Sequence, residues 1–315
     1  MSDTFRTGYA ALVGRPNAGK STLMNNLLGG KLAIISAKPQ TTRNRIRGIL
    51  NQEDSQIILV DTPGIHDAHT ELNKVMVKGA LSAIDDCDVV IWLCDMTTLA
   101  KRVKKQEDFE LLDAVDELIA NALVESGTPV ILAANKMDVI AKELVLPVIE
   151  ALSARVPLIA AVPISALKGL NVEALKGEIV KHMPVHPPVY PTDQWTELSE
   201  RFLTAEVIRE KLFHLTEQEI PYATFVEVES FDEEERDTPR NLTKIHAKIV
   251  VERDSQKGIV IGKRGSMLKR IGTDARKELE TLLDCKVFLK LFVKVEKDWS
   301  KTSKGLRRVG FELDS

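Results

Sequence analysis

One octet near the N-terminus, Gly14-Arg15-Pro16-Asn17-Ala18-Gly19-Lys20-Ser21, constrains this chain more than any other stretch. It has the spacing Gly-x-x-x-x-Gly-Lys-Ser, follows an apolar run ending at Val13 and precedes the helix-like Leu23-Met24-Asn25-Asn26-Leu27-Leu28. A loop of this composition between a strand and a helix N-terminus is a phosphate cradle, and that flanking context separates it from a chance turn. Consecutive backbone N–H groups curl around the anion, and the helix start adds partial positive charge. Glycines at both ends let the backbone approach with no Cβ in the way. Lys20 is placed to reach the β- and γ-phosphates and the Ser21 hydroxyl to sit on Mg²⁺, with Thr22 next in the helix.

Such a loop belongs at the end of a sheet strand, and the chain to about residue 182 alternates apolar runs with helical patterns. Strands are expected at 8–13, 45–50, 56–61, 89–95, 130–135 and 158–164, and helices at 20–28, 73–84, 108–125, 144–154 and 171–182. Ile57-Ile58-Leu59-Val60 and Val89-Val90-Ile91-Trp92-Leu93 are apolar throughout, as in strands buried on both faces. The fold class is therefore α/β, with a mostly parallel six-stranded sheet whose ligand lies beyond the strand C-termini. At 315 residues the chain is too long for one ordinary domain. Four prolines fall within residues 184–191, a density that excludes helix interior and central strand and favours a stiff extended connection. The expected division is a first domain at 1–183, a linker at 184–195 and a second domain at 196–315.

The remaining strand ends carry the other polar motifs. Asp61-Thr62-Pro63-Gly64 closes the third strand, where the carboxylate can hold Mg²⁺ and the Gly64 N–H can face a γ-phosphate. Upstream, the polar stretch 36–43 contains Thr41 and Thr42, one of which can ligate Mg²⁺; Thr42 is preferred, with Thr41 left open. Asn135-Lys136-Met137-Asp138 ends the fifth strand and selects the base. Guanine offers N1–H and a 2-amino group to a carboxylate such as Asp138, whereas adenine would leave it unpaired. Sites built on such pairs reject the wrong partner by roughly 10⁴-fold or more. The Lys136 stem can cover one face of the base, and Asn135 can tie this loop to the phosphate loop. Ser165-Ala166-Leu167 follows the last strand, where backbone N–H groups can meet the guanine O6.

Beyond the prolines the reading is a helix at 196–215, a strand at 222–230, an acidic mobile turn at 231–240 and a strand at 243–252. A short helix at 255–261, Gly262-Lys263-Arg264-Gly265, a helix at 266–283 and a strand at 286–295 complete it. Between Arg240 and Arg308 stand 19 Lys/Arg against 8 Asp/Glu, a net of +11, which leaves the rest of the chain with 24 basic and 38 acidic residues, a net of -14. A basic part attached to an acidic one points to a polyanion, without distinguishing RNA from DNA or anionic lipid. Gly-x-x-Gly is weak by itself, but here it lies between two helices, holds Lys263 and Arg264, and has Lys257, Lys269, Arg270, Arg276 and Lys277 around it. The order αββααβ resembles the KH domain in its bacterial, type II arrangement. Glycines there let a sugar-phosphate backbone lie against the loop, clamping about four single-stranded nucleotides. Ile259, Ile261 and Leu268 either flank a groove for base faces or pack in the core.

With 44% hydrophobic residues the chain can build real cores. No apolar run reaches the ~18 residues of a membrane span. Met1-Ser2-Asp3-Thr4-Phe5-Arg6 lacks an apolar signal core, so a cytosolic protein is expected. Cys87, Cys94 and Cys285 form neither a metal spacing nor a paired framework and read as reduced, buried apolar residues. Lys101, Arg102, Lys104 and Lys105 read as a solvated face.

The order GRPNAGKS, TTR, DTPG, NKMD and SAL is similar to the translation-factor class of GTPases. With Ser255-Gln256-Lys257-Gly258-Ile259-Val260-Ile261-Gly262 and the later Val293-Lys294-Val295 and Trp299, nearly the whole chain resembles the Era family of bacterial ribosome-assembly GTPases. That resemblance implies hydrolysis of GTP with Mg²⁺ and binding of single-stranded ribosomal RNA at the 3′ end of the small-subunit RNA. It further implies assembly of the 30S particle, no DNA partner, and loose attachment to the inner membrane. Ile65 stands where Ras-type enzymes place a water-orienting glutamine, so slow intrinsic turnover is expected, with Lys20, Thr42 and Asn17 in the catalytic roles. Asn17 resembles the asparagine by which some relatives hold K⁺ beside the phosphates, where a cation stabilises transition-state charge. The competing reading is a nucleotide switch that docks on membrane or a protein partner, with RNA incidental.

Overall fold

Strand β1 (Arg6–Gly14) carries the glycine-lysine loop at its C-terminal end and lies inside a six-stranded sheet of order β2-β3-β1-β4-β5-β6. The computed structural model describes residues 4–36, 38, 41–67, 70–104 and 112–308. It divides into two units, Met1–Glu197 and Leu198–Ser315.

In the first unit β1 is followed by α1 (Lys20–Leu28), β2 (Ile46–Asn51), β3 (Ser55–Asp61), α2 (Glu71–Asp85), β4 (Val89–Asp95) and α3 (Met96–Lys104). Then come α4 (Ala114–Ser126), β5 (Val130–Asn135), α5 (Val145–Arg155), β6 (Ala160–Pro163) and α6 (Val172–His182). β1 pairs in parallel with both β3 and β4, and β5 and β6 extend the parallel set; only β2 runs antiparallel, against β3. The chain leaves β1 toward opposite sides of the sheet, and that reversal opens a crevice over its C-terminal end. Every residue of β3 is buried, which is why its middle, Ile57-Ile58-Leu59-Val60, is apolar throughout rather than alternating. Trp92, Val13, Ile65, Ala80 and Ile119 belong to the core on one face.

The second unit runs α7 (Glu200–Leu215), β7 (Thr224–Glu235), β8 (Leu242–Val251), α8 (Asp254–Ile261), α9 (Ser266–Leu282), β9 (Lys286–Val295) and α10 (Ser303–Arg308). Its sheet has the order β7-β8-β9, with β8 antiparallel to β7 and parallel to β9. Ile208 and Leu212 of α7, Ile271 and Ala275 of α9, and Ile249 and Val251 of β8 share its core.

Four expectations change. The acidic stretch 231–240 is strand as far as Glu235, because Phe231, Asp232 and Glu235 pair with Ile245, Lys244 and Leu242 and Lys244 neutralises Glu235. Helix α7 begins at Glu200, capped by Ser199, whose side chain accepts from the Phe202 N–H. The proline-rich stretch does more than connect. Its backbone pairs with the first unit at Arg6, Gln56 and β2, so this unit ends at Glu197 rather than at 183. Helix α3 occupies part of the segment read only as charged and solvated, and Met96, Leu99 and Ala100 bury its inner side. Residues 108–111 of the expected helix at 108–125, Ala37, Pro39 and Gln40 of the stretch 36–43, and Lys105 lie outside the described residues.

Candidate nucleotide and nucleic-acid sites

A cavity of about 600 Å³ lies over the β1 switch point, lined from the phosphate loop, from 34–36, from Thr41 and Thr42, and from the loops after β5 and β6. Gly19 opens α1 in the left-handed region, φ 103°, and a Cβ there would sit 2.3 Å from the Asn135 Nδ2. Only glycine allows that approach. Lys20 Nζ donates to the Gly14 and Arg15 carbonyls at 3.1 and 3.0 Å, so the side chain folds back onto its own loop. Burial pushes its ammonium down to about 8, against the opposing pull of Asp61.

Ser21, Thr42 and Asp61 converge. Asp61 Oδ2 accepts from Ser21 Oγ and Thr42 Oγ1, both at 2.9 Å, and the two hydroxyl oxygens are 3.0 Å apart. Asp61 Oδ1 is buried with no hydrogen-bond partner. Burial raises the Asp61 carboxyl, with Lys20 and the two hydroxyls pulling the other way. A buried carboxylate oxygen without a donor, next to two hydroxyl oxygens, is a hard-oxygen set that fits a small divalent cation. Of the two threonines, Thr42 meets Ser21 and Asp61; Thr41 lines the cavity.

Asn135 ties two loops together: its Nδ2 donates to the Ala18 carbonyl at 2.7 Å and its Oδ1 accepts from the Ala166 N–H at 2.9 Å. Lys136 takes φ 67° and sends Nζ to Asp95 Oδ2 at 2.7 Å. Burial works against the Asp95 charge, but hydrogen bonds from Lys136 and Thr97 hold its carboxyl below the usual range. Asp138 is exposed at the cavity wall, beside the exposed apolar side chains of Val139 and Leu167. Asp138 can therefore accept two adjacent donors from a planar ring held between Lys136 and Leu167. The Ser165 N–H is taken by the Leu170 carbonyl.

Several expected site residues stand back from the cavity. Thr62 Oγ1 donates to the Leu12 carbonyl at 2.7 Å, and the Ile65 N–H to the Gly14 carbonyl at 3.1 Å. The Ile65 side chain is fully buried in the core. Arg15 turns its guanidinium to Asp113 at 2.6 Å and Asp116 at 3.1 Å, where Arg102 also pairs with both. Arg102 is thus an interior ion-pair partner, not part of a solvated face. Pro63 and Met137 do not line the cavity, whereas Asn17, Pro16, Thr22 and Gly64 do. Asp95, Ile34 and Ile35 went unread, and Ser36 was read only as the start of the polar stretch. Asp95 had a signal, since it ends β4 in register with Asn135.

In the second unit Gly262 (φ 72°) and Gly265 (φ 78°) bracket a turn in which Arg264 is itself at φ 50°. A Cβ on Gly262 would lie 2.7 Å from the Met267 Cβ. Lys263, Arg264, Lys269 and Arg270 are exposed around the turn, and Lys257 is half-buried. Ile259 is 51% exposed, while Ile261 and Leu268 pack partly against the core. The groove reading therefore fits Ile259 best.

A P-loop unit with a guanine-type edge reader, joined to a unit of KH topology, defines an RNA-binding P-loop GTPase. Known families agree: the 50S ribosome-binding GTPase family matches residues 9–136 and the KH domain family residues 219–300. The chain is 50% identical over 308 residues to the GTPase Era of Geotalea uraniireducens, covering 98% of each chain, and 48% identical over 312 residues to that of Geobacter metallireducens, covering 99% of this chain and all of the other. Two solved structures superpose with a TM-score of 0.89 at 39% identity, covering 98% of this chain and 100% of theirs. One is a single-residue variant of Aquifex aeolicus Era bound to GDP.AlF4-; the other is Era in complex with MgGDPNP and nucleotides 1506-1542 of 16S ribosomal RNA. This chain belongs to the Era family of GTPases. It hydrolyses GTP and binds RNA.

Proposed function

We propose that the chain couples GTP hydrolysis to holding the 3′ end of small-subunit ribosomal RNA during assembly of the 30S particle, in the cytosol with loose contact to the inner membrane. The observation that carries this reading is the meeting of Lys20, Ser21, Thr42 and Asn135 at one cavity, with Asp61 buried behind Ser21 and Thr42 and bonded to both, in a chain whose basic part presents a Gly-x-x-Gly turn between two helices. Asp138 accepts from guanine N1–H and the 2-amino group. The phosphate loop and Lys20 hold the phosphates, and the lysine exchanges two carbonyl partners for phosphate oxygens. Ser21, Thr42 and Asp61 hold Mg²⁺, which when bound neutralises charge on the β- and γ-phosphates. Water attacks the γ-phosphorus as its bond to the β–γ bridging oxygen breaks; GDP leaves with that oxygen, the water oxygen stays on the inorganic phosphate released, and the water's proton ends on that phosphate. Ile65 offers that water no hydrogen bond, so intrinsic turnover is slow.

Asn17 lines the cavity and its amide oxygen suits a monovalent cation, so we place K⁺ there as a charge-stabilising partner. Hydrolysis at equal rates in Na⁺ and K⁺, or K⁺ stimulation that survives Asn17→Ala, would refute that role. The RNA reading is tested by titrating the full chain with a short single-stranded RNA against salt. Gly262→Asp and Gly265→Asp should each weaken binding at least tenfold by placing a carboxylate where phosphate passes. Unchanged affinity in both would leave a nucleotide switch without this RNA site.

A further inference from the structure

The outer face of β9 alternates basic and aromatic residues. Val287, Leu289, Leu291 and Val293 turn into the core of the second unit, so the alternate residues Lys286, Phe288, Lys290, Phe292 and Lys294 share the opposite face, and all five are exposed. Phe288 is 52% and Phe292 37% exposed. β9 is also an edge strand, packed against α8 and α9, the helices on either side of the Gly262–Gly265 turn.

Charge is distributed unevenly across this face. The β8 lysines are already neutralised from β7: Lys248 pairs with Glu227 at 3.0 Å and Glu229 at 2.9 Å, and Lys244 pairs with Glu235. Lys286, Lys290 and Lys294 have no ion-pair partner among the described residues. The far end of the face is closed, since Trp299 packs on the Phe225 ring at 4.8 Å and Val250 is fully buried. What stays open is a strip of two phenyl rings alternating with three uncompensated ammonium groups, with the His246 ring edge-on to Phe288 at 6.3 Å.

We infer that this strip is a second RNA-contact surface, taking single-stranded nucleotides that continue past the Gly-x-x-Gly groove around the β9 edge. Alternate strand residues recur every ~6.6 Å. The three lysines, every fourth residue, therefore stand ~13 Å apart, about four nucleotide steps of 3.4 Å, with a ring midway in each gap, so that the lysines meet phosphates about four nucleotides apart while the rings take base faces between them. An anionic membrane would use the lysines but wants a broad apolar face to bury, and two separated rings do not supply one. The inference rests on the RNA-binding reading above.

The test uses the full chain with a non-hydrolysable GTP analogue and, as probe, the 16S ribosomal RNA segment 1506-1542. A stacked base is worth about 5- to 150-fold in affinity, so Phe288→Ala with Phe292→Ala should weaken binding at least tenfold. Lys286→Ala, Lys290→Ala and Lys294→Ala together should flatten the slope of log affinity against log salt by about 2. Phe288→Trp should restore affinity and lose indole fluorescence on RNA addition, a signature that a merely structural ring would not give. GTP turnover without RNA should stay unchanged in all variants. Full RNA affinity in both the ring and the lysine variants overturns the inference and leaves the Gly-x-x-Gly groove standing. So does loss confined to binding of phosphatidylglycerol-rich vesicles. Full affinity in Gly262→Asp with loss in the ring variants instead removes the groove and keeps the strip.

Discussion

Lys20 shows how far a single side chain can be read before it is seen. Its place in the octet named its target, but not its resting state, in which it caps two carbonyls of its own loop. Burial holds its ammonium near 8, so a large fraction is neutral above that pH. Bound phosphates favour the charged form. The sign follows: below about pH 8 the lysine is already protonated and binding takes up no proton there. Above it, binding must recharge the group, and affinity falls as pH rises. Calorimetry of GDP binding at pH 8.5 in buffers of different ionisation enthalpy should show net proton uptake, absent at pH 6.5; zero uptake at both would mean that the lysine does not titrate in this range. Asp61 could be singled out because it ends β3, whereas nothing in the stretch 36–43 decides between Thr41 and Thr42; only the contacts of Thr42 with Ser21 and Asp61 separate them. Arg15 was not. Its guanidinium answers to Asp113 and Asp116, about a hundred residues away, and no spacing rule encodes that partner.

Among the elements, α1, β4, β5 and β9 lie where the sequence put them, since each apolar or helical run is bounded by turn residues. The pairing of the proline-rich segment with the first unit could not be read from its composition, for a physical reason. An extended chain has the same composition whether it is free or pinned, and pinning depends on β2 being an edge strand with unpaired backbone groups. The pin is visible in Gln56. Fully buried, it accepts from the Val189 and Tyr190 N–H groups at 2.8 and 2.9 Å and donates to the Tyr190 carbonyl at 2.9 Å. Thr196 and Glu197 continue the attachment to Arg47. Gln56→Ala removes the donor and acceptor together and leaves two amides without partners, a cost of about 1–3 kcal/mol. Hydrogen exchange at Val189 and Tyr190 should quicken at least tenfold relative to β3; unchanged protection there would mean that the prolines alone fix the segment. Helix α3 escaped because its inner residues Met96, Leu99 and Ala100 were overshadowed by the lysines and arginine that follow.

For the whole molecule, the charge asymmetry and the two motif sets were legible early, and family membership follows from relatives that match along nearly the full length. Coupling is another matter. It is a free-energy difference between states, and neither a motif nor one set of coordinates contains it. The account requires that the nucleotide held by Lys20, Ser21, Thr42 and Asp61 alter the grip on RNA. A coupling of typical size changes affinity by about 5- to 150-fold. The direct measurement is the dissociation constant of the full chain for the 16S ribosomal RNA segment 1506-1542, taken at fixed salt with saturating GDP and again with a non-hydrolysable GTP analogue. A difference of about fivefold or more between the two is the expected result, and equal constants would contradict the account.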